Sequence, residues 1–223
     1  MWEVLQEWDQ QLLLAINGMH CPRADRLAGL FAGKETWAVM YAAILLVLCR
    51  NFNWRGVIAA TAAFALLVLV ADQLTSTVLR PLFARPRPSR AAALEEIVHL
   101  VNGRRGGAFG FPSAHAANTA ALTTFLFLFT RRQSIAAFFI AWTVATCYAR
   151  VYAGVHYPAD VAAGVIVGFL SGLTVHAAYR YLRARVPSLA PRRDEGLEGT
   201  RVILLAGLLT VAAITLFSLL APA

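Results

Sequence analysis

The sequence predicts an all-α fold: a polytopic membrane helix bundle of about six spans, preceded by an N-terminal interfacial amphipathic helix. Three observations predict it. Hydrophobic residues make up 59% of the 223-residue chain and charged residues only 14%, with a mean hydropathy of +0.60. The apolar residues fall in long blocks, which a soluble core does not require and a bilayer span does. Short polar turns separate most of those blocks, and one long polar segment, Arg80 to Pro112, is rich in Arg, Pro and Gly.

Trp2, Leu5, Trp8, Leu12 and Ile16 recur at helical spacing, with Glu3, Glu7 and Gln10 on the other side. That pattern describes a helix lying in the interface with its tryptophans at headgroup depth. Asn17, Gly18 and Pro22 end it. The spans are expected at residues 35–49, 57–79, 113–130, 134–149, 158–181 and 202–220. The first is short for a bilayer. The second carries Asp72, the third starts at Ser113, a good N-cap, and the fifth starts near Pro158, which the first helical turn tolerates. The chain reads as one unit over 1–223: residues 1–33 lead in, 57–182 form the core and 202–220 the last span.

A formal net charge of +8 fits positive loops and attraction to anionic lipid. It does not indicate a nucleic-acid partner, because the arginines flank spans instead of forming one basic face. Three cysteines without a CxxC pair argue against a disulfide framework or a zinc cluster. Glu3, Glu7 and Asp9 stand where a secretion signal would be positive. Lys and Arg divide evenly between the two sides. With the motif arginines below set aside as functional, the short turns become cytoplasmic and the 80–112 loop external.

Three clusters fall at span boundaries on that external side: Arg80 through Arg87-Pro88; Pro112-Ser113-Ala114-His115; and Arg150, His156 and Asp160. A phosphate presents negative charge and a fan of acceptor oxygens, which arginine forks meet bidentately. Arg80, Arg87 and Arg150 can cage it, and Ser113, Ala114 and His115 stand where a helix N-terminus offers free N–H groups. His156 and Asp160 are spaced i,i+4, so on a helix they share a face. The carboxylate then fixes the tautomer and leaves the other ring nitrogen free to attack phosphorus. His115 is the second histidine such chemistry needs, a general acid for the leaving oxygen. No Asp/Glu cluster resembles a magnesium site, so neither a metal nor another cofactor is expected. Asp72 is either a support near the arginine cage or an interfacial carboxylate. His20, His99 and His176 read as without chemistry. Glu95 and Glu96 read as a solvated face, and Arg104 and Arg105 as headgroup contacts or a surface pair.

Together the clusters resemble the tripartite signature of the type 2 phosphatidic acid phosphatase superfamily, which runs Lys-x6-Arg-Pro, Pro-Ser-Gly-His and Ser-Arg-x5-His-x3-Asp. Here it reads Arg80-x6-Arg87-Pro88, Pro112-Ser113-Ala114-His115 and Ala149-Arg150-x5-His156-x3-Asp160, over roughly residues 57–175. Arg80 stands for Lys, Ala114 for Gly and Ala149 for Ser; the last change removes a hydroxyl. The stretch from Asn17 to Asp25 is similar to the corresponding segment of short bacterial members.

The resemblance implies a six-helix, metal-independent membrane phosphatase acting through a phosphohistidine; with the charge reading above, this is expected to be a lipid phosphatase of the plasma (inner) membrane with its site facing the periplasm. It implies His156 as nucleophile, Asp160 as its orienter and His115 as acid, with Arg80, Arg87, Ser113 and Arg150 on the phosphate. Undecaprenyl pyrophosphate, phosphatidylglycerol phosphate, phosphatidic acid and lipid A phosphates are the candidate substrates. Alternatives are a lipid-to-lipid phosphotransferase on the same site, a non-catalytic phospholipid transporter or scramblase, and a zinc hydrolase built from His115, His156 and Asp160.

Overall fold

A computed structural model describes residues 2–192 and 197–221. Among them the chain is helical, with a single isolated β-bridge, Pro86 to Phe109. Part of the charged 183–201 stretch lies outside the described residues.

Helix α1 (Trp2–Asn17) is the amphipathic helix expected. Leu5, Trp8 and Leu12 are exposed, as an interfacial apolar stripe should be. Its buried face is different: Asp9, Leu13 and Asn17, spaced i, i+4, i+8. Next comes α2 (Pro22–Ala32), with Pro at its first position, a helix that the apolar pattern does not announce. A short 3-10 turn at Glu35–Trp37 leads into α3 (Ala38–Asn51), bent about 70° from α2.

Helix α4 (Trp54–Gln73) starts on Asn53, whose side chain accepts from Gly56 N. It continues through a π-helical stretch, Leu74–Leu79, into a short α5 (Arg80–Phe83). A π turn holds more residues than an α turn and so rotates the next residues about the axis, Arg80 first among them. Ala84 ends the run in the left-handed region at φ 45°.

The remaining helices are α6 (Ala114–Thr130), α7 (Gln133–Tyr152), α8 (Pro158–Arg185) and α9 (Arg201–Leu220). By length and composition four helices can cross a bilayer: α4 with α5, α7, α8 and α9. The bent α2–α3 pair makes a fifth if it counts as one span. The expectation of about six included α3 and α6. At 14 and 17 residues they extend about 21 and 26 Å, short of a hydrocarbon core of about 30 Å.

Helix α6 is the centre, packed against α4, α7 and most extensively α8. Gly164, Gly168 and Gly172 make a stripe on α8 that lies on the backbone of Ser113, Ala117 and Ala121. A Cβ at Gly168 would overlap the Ala117 carbonyl. Small residues at this spacing let two helix backbones touch. A core of Trp37, Met40, Leu67, Phe125, Phe139 and Trp142 fills the bundle. Leu69, Val144, Ile166 and Leu209 point outward, where lipid tails satisfy them.

Candidate active site

Each cluster reaches one end of the bundle for a local reason. Arg85 and Arg87 each precede a proline, and the residue before proline is held extended; Arg87 has φ −67° and ψ 157°. Residues 85–87 pair with 108–110 through Arg87 N–H to Ala108 O (3.1 Å) and Gly110 N–H to Arg85 O (3.0 Å). In extended chain, residues two apart share a face. Both guanidiniums therefore face His156 and Asp160.

His156 and Asp160 do face each other, but not along a helix. Helix α8 begins only at Pro158, with Tyr157 as its N-cap. A proline ring clashes with the carbonyl four residues earlier, so the helix cannot extend back through it. Asp160 occupies the third position of the new helix, where its Oδ2 accepts the Tyr157 N–H at 3.0 Å. That fixed carboxylate lies 3.3 Å from His156 Nδ1. The i,i+4 relation is thus made by a capping turn.

Arg87 settles the tautomer. Its Nη1 lies 2.9 Å from His156 Nε2 and donates to Val155 O at 2.8 Å. A guanidinium only donates, so Nε2 is the acceptor and Nδ1 carries the proton toward Asp160. His156 is 1% exposed and Asp160 fully buried. Burial first, then Arg87, Arg150 and Arg80, hold the imidazole well below the ordinary histidine pKa. Burial, with Arg80 and Arg150, lowers Arg87 to about 10, which leaves it charged at neutral pH.

The second cluster is seated by the first helical turn of α6. Ser113 is its N-cap and fully buried. Its Oγ is 3.5 Å from Ala116 N, a long capping bond that leaves the hydroxyl largely uncommitted. Ser113 N–H donates to Asp160 O at 2.9 Å, which ties the α6 start to the α8 start. Arg80 Nη2 reaches Pro112 O at 3.4 Å. The Nε donors of Arg80, Arg87 and Arg150 are buried without a protein acceptor, a costly state that an anion relieves. His115 and Arg150 line a cleft of about 520 Å³ with Arg104, Val155, Leu30 and Phe217. The cleft thus has charged groups and an apolar wall.

Every residue expected in the site is at this end. Ala114 is the first residue of α6, and Asp72 lies near Arg80. Arg104 lines the cleft, whereas Arg105 pairs with Glu95 at 3.6 Å. His99 is not idle: Nε2 lies 2.7 Å from Asp25 Oδ2, Tyr152 donates to Asp25 Oδ1 at 2.6 Å, and His20 stacks on His99. Asn17 adds bonds to the His99 and Tyr152 carbonyls. This knot pins the α1–α2 corner to the end of α7, two residues from Arg150.

Sequence reasoning missed Arg85, Asp9 and two glycines. Arg85 donates to Asp160 Oδ1 (2.9 Å) and to Asp9 Oδ2 (2.6 Å). Gly110 backs the pair so closely that a Cβ would meet Asp160 Oδ2 at 2.9 Å. Gly106, at φ +70°, lies against the Arg87 side chain. The arginine-rich run hid Arg85, and nothing local marks Asp9. Among the described residues no three His, Cys, Asp or Glu side chains converge as a metal site. The arrangement can bind a phosphate among cations and present a neutral imidazole to it, with a second histidine, His115, close enough to His156 to feel its charge.

Known proteins share this sequence and architecture. The sequence profile of the PAP2 superfamily matches residues 61–184. A lipid A 4'-phosphatase of Bacteroides thetaiotaomicron is 41% identical over 222 residues, 98% of this chain and 99% of that protein. One from Porphyromonas gingivalis is 34% identical over 188 residues, 82% of this chain and 78% of that one. Crystal structures agree. LpxE of Aquifex aeolicus superposes with a TM-score of 0.58 at 26% identity, covering 74% of this chain and 93% of that one. A transmembrane PAP2-type phosphatidylglycerolphosphate phosphatase of Bacillus subtilis shares the fold, with a TM-score of 0.60 at 20% identity over 80% and 88%. Profile, relatives and architecture together make this chain a member of the PAP2 superfamily, an integral membrane lipid phosphatase that hydrolyses phosphate esters.

Proposed function

We propose that the chain removes the 4'-phosphate of lipid A through a phosphohistidine on His156. The observation that carries the mechanism is the oriented pair: Asp160 behind Nδ1, Arg87 on Nε2. The substrate phosphate competes for Arg87, and the N–H it draws away uncovers the Nε2 lone pair. Nε2 then bonds to phosphorus while the P–O bond to the sugar breaks, and a proton that the phosphate's negative charge draws onto His115 as it binds passes to the leaving oxygen. Arg80, Arg87 and Arg150 and the Ser113 turn hold the charge spread over the phosphoryl oxygens. Water, deprotonated by His115, attacks phosphorus next. The N–P bond breaks, inorganic phosphate leaves and His156 is restored.

The substrate choice is supported by the two relatives named as lipid A 4'-phosphatases, one of which aligns along nearly the whole chain. The apolar wall of the cleft, with Leu30 and Phe217, suits acyl chains beside a charged head. The reach of α1 to Asp160 through Arg85 supports residues 1–223 acting as one unit.

We place the enzyme in the inner membrane with the site on the periplasmic face. With the arginines of the site set aside as functional, Arg50, Arg55, Arg131, Arg132, Arg183 and Arg185 remain near the helix ends away from the site, the bias of a cytoplasmic face.

The test is phosphate release by detergent-purified protein, with lipid A, undecaprenyl pyrophosphate, phosphatidylglycerol phosphate and phosphatidic acid compared. Mass spectrometry should show lipid A losing its 4'-phosphate and keeping the 1-phosphate. Faster turnover of a glycerophospholipid, or loss of the 1-phosphate, would contradict the assignment.

A further inference from the structure

Asp9 stands 150 positions from Ala159 in sequence, yet its Oδ1 accepts the Ala159 N–H at 2.8 Å. Its Oδ2 takes one arm of Arg85 at 2.6 Å, and the other arm goes to Asp160 Oδ1 at 2.9 Å. Asp9 is 8% exposed and Asp160 fully buried, so Arg85, itself partly exposed, bridges two buried carboxylates. The Arg85 guanidinium also lies over the Tyr157 ring, 4.0 Å from its centre, which fixes the plane of the fork. We propose that Asp9 is a positioning residue for the His156–Asp160 pair, holding Arg85 in a shared bridge so that Asp160 keeps its Oδ2 and its negative charge for His156.

The charge count gives the reason. A guanidinium closes on a single carboxylate with two N–H groups. Alone with Asp160, Arg85 would do so and neutralise it. With Asp9 present, Arg85 is divided, and the three groups carry a net charge of about −1 behind the Nδ1 proton. The imidazole becomes positive as Nε2 bonds to phosphorus, and that net charge stabilises it. Without the Asp9 charge the three sum to zero, and the ring faces the cations Arg80, Arg87 and Arg150 with less to balance them. Helix α1 therefore has two jobs on two faces. Its exposed Leu5, Trp8 and Leu12 suit the lipid interface, and its buried face delivers a carboxylate to the site.

The proposal rests on His156 as nucleophile, and the experiment separates the two. The full chain, purified in detergent, is assayed as Asp9→Asn, Asp9→Glu and His156→Ala on a lipid phosphate that the wild type hydrolyses. Thermal unfolding of each variant is followed alongside. Asparagine keeps an oxygen for the Ala159 N–H but turns an amide donor toward Arg85, so the cap survives while the bridge and its charge are lost. Asp9→Asn should lower kcat about 10- to 100-fold, as loss of an outer partner does elsewhere, with KM held within about twofold. The acid limb of kcat/KM should move to lower pH, because losing a negative charge disfavours the imidazolium further. The charged groups facing the pair are Arg80, Arg87, Arg150 and His115, which the variant leaves in place, and Arg85, whose hold on Asp160 is what the variant changes. Asp9→Glu should recover part of the rate. An inactive His156→Ala beside an Asp9→Asn of wild-type kcat and pH profile overturns the proposal alone. So does a kcat loss that only tracks lost folded protein, with the acid limb unmoved. Activity surviving in His156→Ala overturns the nucleophile and the proposal with it.

Discussion

At one end of the bundle His176 lies near Arg131, Arg180 and Arg183; at the other His156 lies near Arg80, Arg87 and Arg150. Both histidines are buried, and a residue count does not tell the ends apart. Their partners do. Arg131 and Arg180 are exposed, and His176 packs edge-on to Phe125 with ring centres 5.7 Å apart. Arg87 is buried, His156 has Asp160 behind it, and Asp160 is held by Tyr157 N–H and Arg85. Cations near a histidine are ordinary at span ends, where arginines reach for water and headgroups. Cations and a histidine locked by buried carboxylates are what chemistry requires.

Substitutions at both ends sharpen that contrast. The largest effect is expected from His156→Ala, which should cut phosphate release on the order of 10⁴-fold or more, while His176→Gln leaves kcat within about twofold. Equal losses at the two ends would erase the distinction. Next comes Arg87→Lys. It keeps the charge but loses the planar guanidinium, whose one Nη1 meets both Val155 O and His156 Nε2 and whose Nε has no protein acceptor, and should cost about 100-fold in kcat/KM; Arg180→Lys should cost nothing measurable in the same assay.

A smaller effect, on stability, tests how the site end is held together. Gly168→Ala sets a Cβ against the Ala117 carbonyl, whereas Gly107 has nothing near its Cβ position. The first should destabilise by about 1–3 kcal/mol, read as a lowered unfolding temperature in detergent, and alanine at the second should be neutral. The smallest expected effect is on pH. His156 is held below the ordinary histidine range, so its lone pair survives mild acid. The acid limb of kcat/KM should fall below about pH 6.5, the free-histidine value. A limb above that value would place His156 in a solvated or anionic setting that its burial contradicts.

Much of this was legible because it is local. Long apolar blocks announce helices, and Arg87, Ser113, His156 and Asp160 sit at short spacings that backbone geometry turns into proximity. What escaped is long-range or cancelled. Asp9 meets Arg85 and Ala159 only after the bundle closes, and no period in α1 distinguishes it from Glu7. Arg85 stood in plain view, but deciding which arginine meets phosphate and which meets carboxylate takes the isolated bridge of residues 85–87 with 108–110 that aims both. Helix α2 was lost because Arg23, Asp25 and Arg26 interrupt its apolar pattern. The Gly164–Gly168–Gly172 stripe is legible at its spacing of four, and it seats Ser113 beside Asp160.

The most direct measurement is to trap the intermediate. Purified enzyme is mixed with phosphate-labelled lipid, quenched within one turnover and digested, and the labelled peptide sequenced by mass spectrometry. The phosphoryl group should lie on Nε2 of His156 and be absent from His156→Ala. Label on His115, or steady turnover with no labelled residue, would contradict the account.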